Sequence, residues 1–468
     1  MLLMRHELVL TVVILLLLVA DLFAKNKKSV NYIAIGLFAV HTLLGFIPLE
    51  YGKLFGGMFI SSPLLFGFKN VLNVGVLLIL LQSASWLNSK MLVHQKIGEF
   101  YALIFSSLLG MYFMISSGNF LMLYLGLELS TLPVAALAAY DIYSRKSSES
   151  GIKLILSAAL SSGIFLFGIS MLYATGGSLY FSELQGNVGH SYLSIMGLIM
   201  LFAGLAFKIS LVPFHFWTAD VYEGAPTPVA NFLSVISKAS AVFILMFVLF
   251  VTLRELKDVW IPMLYGVAIL TMFIGNLFAI RQQNLKRFLA FSSVAQAGFI
   301  MMGMLAANDM AVTTVVYFLA IYIFSNIGAF GVVQAVAIAS GKENIDDYNG
   351  LYRTNPMMSL AMMIALFSLA GIPPIAGFFG KFFLYTSAAS QGYYWLVFIA
   401  VVNVTISLYY YLLVVRAAFL RNSETPIPYF RSDVLTRIGM IAVMLGLFIL
   451  GMYSPFYAYI EEISKIVL

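Results

Sequence analysis

The stretch GLAFKISLVPFHFWTADVYEGAPTPV, residues 204–229, decides how the rest of the chain is read. Counted from Tyr192, the apolar run leading into it is long enough to enter hydrocarbon, and Lys208 lies inside that run. Pro213 follows at i+5 and has no backbone N–H, so a carbonyl near Lys208 loses its partner within the helix. His215, Trp217, Asp220, Glu223, Pro226 and Pro228 then crowd into 14 residues. In water such a lysine costs little. In a bilayer even lenient insertion scales charge about 2.5–3.5 kcal/mol for it, so the surroundings of this segment have to be settled first.

Composition points to lipid. Hydrophobic residues make up 62% of the 468 and charged residues only 10%, against roughly 25% charged in an ordinary soluble domain. The net charge is +6, with Lys and Arg scattered between apolar runs. That scatter lacks the clustered basic face of a nucleic-acid binder. The absence of cysteine excludes disulfides, thiolate metal sites, Cys-ligated iron–sulfur clusters and Cys nucleophiles. The five histidines, His6, His41, His94, His190 and His215, show no metal-binding spacing, so no metal site is expected. The apolar stretch Leu8–Ala20 has its positive residues behind it, at Lys25, Lys27 and Lys28. A cleaved signal carries them in front, so this reads as a first spanning helix that is kept.

With about 20 apolar residues needed per crossing, the chain reads as an all-α polytopic membrane protein of about fourteen spans. They are 7–23, 30–48, 70–87, 97–116, 119–139, 150–174, 192–217, 228–252, 260–280, 287–306, 311–339, 357–390, 394–420 and 434–454. Cytoplasmic loops carry excess Lys and Arg. With the N-terminus outside, seventeen of the 26 basic residues, Lys90 among them, fall on the inner side. Six fall outside, including Lys69, and Lys208, Lys238 and Lys381 remain within spans. This bias favours an even number of crossings, with both termini on the outer side. The segment 50–69 reads as an external loop with amphipathic stretches, and no soluble domain is visible.

Buried charge marks the candidate site. Glu128 sits mid-span in LMLYLGLELS (121–130), with Pro133 one turn on. Lys238 lies about ten residues into the eighth span, beside Ser234, Ser237 and Ser240, a polar stripe on an apolar helix. Lys381 follows GIPPIAGFFG (371–380), where Pro373 and Pro374 break a span too long for one straight helix. Broken helices point unpaired backbone groups at ions in transporters. A Lys208–Glu128 pair that opens and closes would switch the lysine between charge states. His215, Asp220 and Glu223 could receive protons from the inner side, and Lys153 opens the sixth span one turn after Glu149. The bland alternatives are helix pinning, snorkelling and an aromatic belt. Gln296, Ser292, Ser293, Tyr317, Tyr322, Ser325, Asn326, Asn403, Tyr409, Tyr410 and Tyr411 are secondary polar candidates.

The two breaks, in spans seven and twelve, lie five spans apart. An odd period inverts a repeat in the membrane, which suggests two inverted five-helix units. The expected divisions are a three-helix segment 1–96, a first repeat 97–252, a second repeat 253–420 and a final span in 421–468.

Four blocks carry a resemblance: LGLELSTLP around Glu128, GIKLILSAALSSGIFLFG (151–168), residues 204–229, and AGIPPIAGFFGKF (370–382). They resemble the antiporter-like membrane subunits of bacterial proton-pumping NADH–quinone oxidoreductase, respiratory complex I, and within them the subunit N pattern. The resemblance implies that Glu128 pairs with Lys208, that Lys238 relays protons between half-channels, and that Lys381 leads to the outer exit. It implies no flavin, iron–sulfur cluster or nicotinamide in this chain, with NADH and quinone handled by other subunits of a translocase. It implies as partners a neighbouring antiporter-like subunit, small membrane subunits and lipid. Rival expectations are a subunit of a multi-subunit Na+/H+ antiporter, a purely structural membrane-arm subunit and, least supported, a stand-alone solute transporter.

Overall fold

In the computed structural model, which describes residues 2–48, 50–89 and 96–465, the chain is almost entirely helical. Lys90 and His94 of the sequence reading lie outside the described residues. The helices begin where short polar residues can accept a backbone N–H. Asn26 caps α2 (Lys27–Gly45), Asn119 caps α5 (Phe120–Ala138), and Ser144 caps α6 (Arg145–Gly176). Ser191 caps α7 (Tyr192–Ile209), Asn284 caps α11 (Leu285–Met304), and Asn308 caps α12 (Asp309–Ser340). The remaining long helices are α1 (Arg5–Phe23), α3 (Pro63–Ser89), α4 (Ile97–Ile115), α9 (Thr227–Thr252), α10 (Lys257–Ile280), α15 (Tyr394–Phe419) and α16 (Val434–Met452).

Twelve helices among the described residues are long and apolar enough to cross a membrane. α2 has the length, 19 residues, with a more polar sequence. Two crossings are interrupted. α7 stops at Ile209 and the chain resumes helix as α8 (Phe216–Gly224). α13 (Pro356–Ala370) stops at Gly371 and resumes as α14 (Ala376–Ala389). The breaks expected near Pro213 and at Pro373–Pro374 are thus present. A last amphipathic helix, α17 (Ser454–Ser464), follows α16.

The polarity of the bundle is that of a membrane protein. α9, α11 and α12 are buried on nearly all sides. α1, α6 and α16 keep outward faces of large apolar residues, such as Leu22, Leu160 and Ile441. Polar side chains lie inside: Asn276, Ser292, Ser293, Gln296, Asn326 and Asn403 are all buried. Close backbone approach fixes α4 against α5, because a Cβ on Gly110 would fall 2.3 Å from the Ser130 nitrogen and one on Gly126 2.5 Å from the Met114 nitrogen. That contact seats Ser130, and with it the segment carrying Glu128, against the interior.

One part of the loop reading is corrected. Residues 50–69 are not a loop throughout. A hairpin of β1 (Gly52–Leu54) and β2 (Phe59–Ser61) is followed at once by α3, whose first residue is Pro63. Proline suits the first position of a helix, where its missing N–H is not needed. Lys69 is therefore inside a helix and only 4% exposed, with its charge met by Glu7. It joins Lys208, Lys238 and Lys381 as a fourth lysine within the helical bundle.

Candidate proton-relay site

Lys381 is held by the second break. The helix donors for the carbonyls of Leu369 and Ala370 would come from residues 373 and 374, and both are proline. Gly371 turns the chain into the left-handed region, at φ +86°, which suits glycine. The Lys381 ammonium donates to those two freed carbonyls, at 2.7 Å to Leu369 and 3.3 Å to Ala370. It also lies 4.8 Å from the centre of the Phe299 ring, a distance suited to a cation–π contact. The sequence break and the lysine ten residues on thus form one structure.

Lys238 lies on α9, fully buried, just after a turn of π-helix over Leu233–Ser237. Such turns recur at functional sites. Its ammonium donates to the Ser293 hydroxyl at 2.9 Å and the Ser293 carbonyl at 3.0 Å, both on α11. Ser234 and Ser240 return their hydroxyls to their own helix, at Asn231 and Ser237. The polar stripe is real, but the contact to Lys238 comes from the facing helix.

Two sets of hydrogen-bonded polar groups lead from the two lysines to neighbouring residues of α11, Ser293 on the Lys238 side and Ser292 on the Lys381 side. Ser292, adjacent to Ser293, shares a hydrogen bond of 2.5 Å with the Tyr411 hydroxyl. Gln296 donates to that same hydroxyl at 3.3 Å and to the Leu369 carbonyl at 3.0 Å. Leu369 is the carbonyl that accepts from Lys381. Ser325 and Ser368 meet nearby at 2.8 Å, and the Tyr322 hydroxyl donates to Ser234. Of the secondary candidates, Ser292, Ser293, Gln296 and Tyr411 therefore come together on one line. Asn403 and Tyr410 instead join Asn276, Tyr317 bonds the Leu450 carbonyl, Asn326 bonds back to the Tyr322 carbonyl, and Tyr409 is exposed.

Lys208 departs from the expected pairing. Its ammonium donates to the Ser130 hydroxyl and, at 2.9 Å, to Thr131. These residues follow Glu128 on α5. Glu128 lies within electrostatic reach of Lys208, yet among the described residues the two form no ion pair. Glu128 is only half-buried, and its Oε1 is shielded from solvent with no protein partner. Ser130, Thr131 and Lys208 line a cavity of about 30 Å³ that also touches Ser237, the neighbour of Lys238. That volume holds roughly one water.

A third cluster lies on α8 and the N-terminal turns of α6 and α11. Asp220 accepts from Lys153 at 2.6 Å and from Arg287 at 2.6 Å. Glu223 accepts from Arg287 at 3.1 Å and Lys146 at 3.0 Å. Lys153 also pairs with Glu149, at 2.7 Å. Burial alone would raise the Asp220 and Glu223 carboxyls, but the hydrogen bonds from these cations hold both below the usual carboxylate range. A polar cavity of about 420 Å³ opens beside them, lined by Lys146, Glu223, Thr227, Lys286, Gln334 and Glu343. Arg287 and Lys286, counted from sequence only as loop charges, belong to this face, and Lys286 pairs with Glu343 at 3.2 Å. Asp220, Glu223 and Lys153 are thus brought together. His215 is apart from them, buried in the turn after Pro213 and packed at a tilt against Phe216 with ring centres 4.5 Å apart. Among the described residues no group of three or more His, Asp and Glu is gathered as metal ligands.

Comparison with known proteins agrees with this architecture. Residues 117–407 match the family described as NADH:quinone oxidoreductase/Mrp antiporter, transmembrane. The chain is 47% identical to the NADH-quinone oxidoreductase subunit N of Phocaeicola vulgatus over 462 residues, 98% of each chain. It also superposes on a chain of respiratory complex I from Thermus thermophilus with bound aureothin, with a TM-score of 0.79, 29% identity, and 97% and 98% of the two chains covered. A chain of the Mrp complex from Dietzia shares the fold, with a TM-score of 0.86 at 18% identity and coverage of 99% and 97%. The chain belongs to the NADH:quinone oxidoreductase/Mrp antiporter transmembrane family, in the group of NADH-quinone oxidoreductase N subunits.

Proposed function

We propose that this chain is a proton-translocating membrane subunit of an NADH–quinone oxidoreductase and moves protons outward through Glu128, Lys208, Lys238 and Lys381, driven by quinone reduction in other subunits. The observation that carries this reading is that Lys238 bonds Ser293 while the adjacent Ser292 is bonded through Tyr411 and Gln296 to the Leu369 carbonyl that holds Lys381. In hydrocarbon, ionisable residues held inward and bonded to one another are a functional hypothesis by default.

In this reading a proton reaches Lys238 from the inner cavity beside Glu223 and Lys286. Thr227, at the start of the helix that carries Lys238, lines that cavity. Lys208, Lys238 and Lys381 are held by neutral oxygens, so each can gain or lose a proton without breaking an ion pair. When Lys208 leaves Ser130 and Thr131 for Glu128, its charge is compensated and its field on Lys238 weakens. When it returns, the like charge favours release of the Lys238 proton toward Lys381. Lys381 then hands the proton outward. Lys153, Asp220 and Glu223 hold the inner mouth in shape, and His215 serves at the break beside Pro213.

The wider architecture follows the same proposal: fourteen crossings, counting α2 and the interrupted α7–α8 and α13–α14 as one each, with both ends on the periplasmic side. The inverted halves, residues 97–252 and 253–420, are supported by a shared device. Gly275 and Gly298 bring α10 against α11 as closely as Gly110 and Gly126 bring α4 against α5, and a broken crossing follows each pair. The flanking segments are 1–96 and 421–468. The partners are a neighbouring antiporter-like subunit, which covers the half-buried Glu128, and small membrane subunits. A sodium pathway in the manner of an exporter is disfavoured because the buried lysines lack a surrounding carboxylate cage. Measuring proton against sodium movement in vesicles carrying the assembled complex tests this. Quinone-driven acidification that is independent of sodium supports the reading, and a strict sodium requirement overturns it.

A further inference from the structure

The relay leaves one large cavity without a role. It lies among α2, α3, α12, α16 and α17, toward the helix ends that share a side with residue 5, and measures about 360 Å³. Phe66, Val74, Val316, Phe324, Leu450 and Phe456 form much of its wall. From Phe66 to Val74 on α3, and from Val316 to Phe324 on α12, the span is about 12 Å at 1.5 Å per residue. α3 begins at Pro63 and α16 ends at Met452, so the groove starts at helix ends and runs inward along the bundle. Its depth is close to the hydrocarbon of one leaflet, about 15 Å. Phe46 and Tyr459, on opposite walls, are each about half-exposed, so the groove opens outward.

Water is a poor occupant, because a buried water needs two to four polar partners. The polar side chain inside the groove is Asn70, and it is already engaged. Its amide donates to the Gly45 carbonyl at 2.9 Å, and its oxygen meets His6 Nε2 at 2.9 Å. The rim differs from the interior. The Arg5 guanidinium donates to the Ile47 carbonyl, next to Phe46, at 2.5 Å and lies 5.7 Å from the centre of the Phe66 ring. Its bonds go to carbonyls, those of Gly45 and Ile47, and among the described residues it has no ion pair. Tyr51 packs edge-on against Phe66, with ring centres 6.3 Å apart. Tyr459 stands on α17 with the exposed Glu462 one turn beyond it. Lys465 pairs with Glu461, at 3.6 Å, and not with Glu462. A cation, a carboxylate and two tyrosines thus border an apolar slot, and tyrosines gather at head-group level in membranes.

We propose that this groove binds one phospholipid from the leaflet on the side of residue 5. One acyl chain lies between α3 and α12, the phosphate rests on Arg5, and a cationic head group faces Glu462. Arginine suits phosphate oxygens in both charge and geometry. Charges of both signs at the rim favour a zwitterionic head group, such as phosphoethanolamine, over a purely anionic one. α17 closes one wall. A Cβ on Gly67 would fall 3.1 Å from Ile463 Cδ1, so glycine lets α17 sit close to α3. The lipid thereby fastens the N-terminal helices to α12 and α16. The inference rests on the chain crossing a bilayer and is independent of the relay.

The test uses the assembled complex in vesicles of phosphatidylethanolamine that carries a photoactivatable group midway along one acyl chain. Cross-links mapped by mass spectrometry should include Val71, Val74 and Phe324. Ala320→Phe fills the groove and should abolish these cross-links, while those at Val12 and Leu15 on the outward face of α1 stay unchanged. Arg5→Gln should lower groove labelling severalfold against the same α1 reference. A phosphatidylglycerol probe should label the groove less than the zwitterionic one. Groove cross-links that persist in Ala320→Phe mean surrounding lipid only and overturn the proposal. So does the absence of groove labelling in the native complex, as when a neighbouring subunit fills the slot. Labelling undiminished in Arg5→Gln, or equal for the two head groups, overturns the head-group assignment. If Ala320→Phe does not assemble, Val74→Phe is read by the same criteria at Val71 and Phe324. Because the relay lysines are untouched, either result leaves the reading of Lys238 and Lys381 standing.

Discussion

Gln296 and Lys381 donate to the same acceptor, the carbonyl of Leu369, at 3.0 and 2.7 Å. That carbonyl is free because its helix donor would have come from Pro373. A lysine that would otherwise stand alone in an apolar bundle is thereby joined to α11, the helix whose Ser293 holds Lys238.

The first prediction concerns the bridge. Tyr411→Phe removes the hydroxyl that joins Ser292 to Gln296 and leaves the ring. It should cost about 1 kcal/mol of stability, the net worth of an ordinary hydrogen bond, while slowing proton-coupled turnover several-fold. Thermal unfolding and quinone-reductase assays on the same membranes separate the two. Unchanged turnover would remove Tyr411 from the line.

Gly371→Ala tests the break. The left-handed backbone would cost an alanine about 1–2 kcal/mol, and its Cβ would meet Lys381 Cδ at 3.1 Å. Assembly should persist with a lowered melting temperature, and pumping should fall with it. Normal pumping would mean that the position of Lys381 is not set by the turn.

The hydroxyls around Lys208 should matter as much as the carboxylate. Ser130→Ala combined with Thr131→Val removes both acceptors of its ammonium. The lysine should then be driven toward Glu128, locking the closed pair and suppressing turnover. Adding Glu128→Gln should not restore it, since Lys208 then has neither partner. Turnover of the triple variant equal to the native rate would contradict this account of Lys208.

The α8 cluster sets a pH dependence. Burial pushes the Asp220 and Glu223 carboxyls up, but the cations beside them win and hold both low. A depressed folded-state pKa contributes stability that is present above the ordinary carboxylate value, about 4, and is lost as pH falls through the folded value. Melting temperature measured against pH should therefore drop on the acid side. In Asp220→Asn the drop should be shallower, from a lower plateau at neutral pH. An identical profile in the variant would show that Asp220 stabilises nothing.

Much of this was readable from residue order. Pro373 and Pro374 announce the break, and the capping residues Asn119, Ser191 and Asn308 mark helix starts within a residue or two. Lys208, Lys238 and Lys381 were visible because a lone charge in an apolar run has no local excuse. Lys69 was hidden for the opposite reason. It stands near a polar loop, and its partner Glu7 lies 62 residues away. Pro63, which fits the first position of a helix, was the signal available. Ser293 and Tyr411 carried no mark that set them above Tyr409 or Asn403, since which hydroxyl faces a lysine across 55 or more residues depends on how α9, α11 and α15 rotate against each other. The Lys208–Glu128 pair was expected, and the contact to Ser130 and Thr131 was not, because a carboxylate draws more attention in an apolar run than the hydroxyls two and three residues beyond it.

The most direct measurement is proton translocation per electron pair in vesicles carrying the assembled complex with Lys238→Ala. The substitution removes the only ammonium that reaches Ser293 among the described residues. Positioned proton-transfer groups are commonly worth about 10²–10⁴ in rate. The account predicts normal assembly with pumping-linked turnover reduced by at least about tenfold. Full turnover at an unchanged proton-to-electron ratio, in a complex shown to contain the variant subunit, would contradict it.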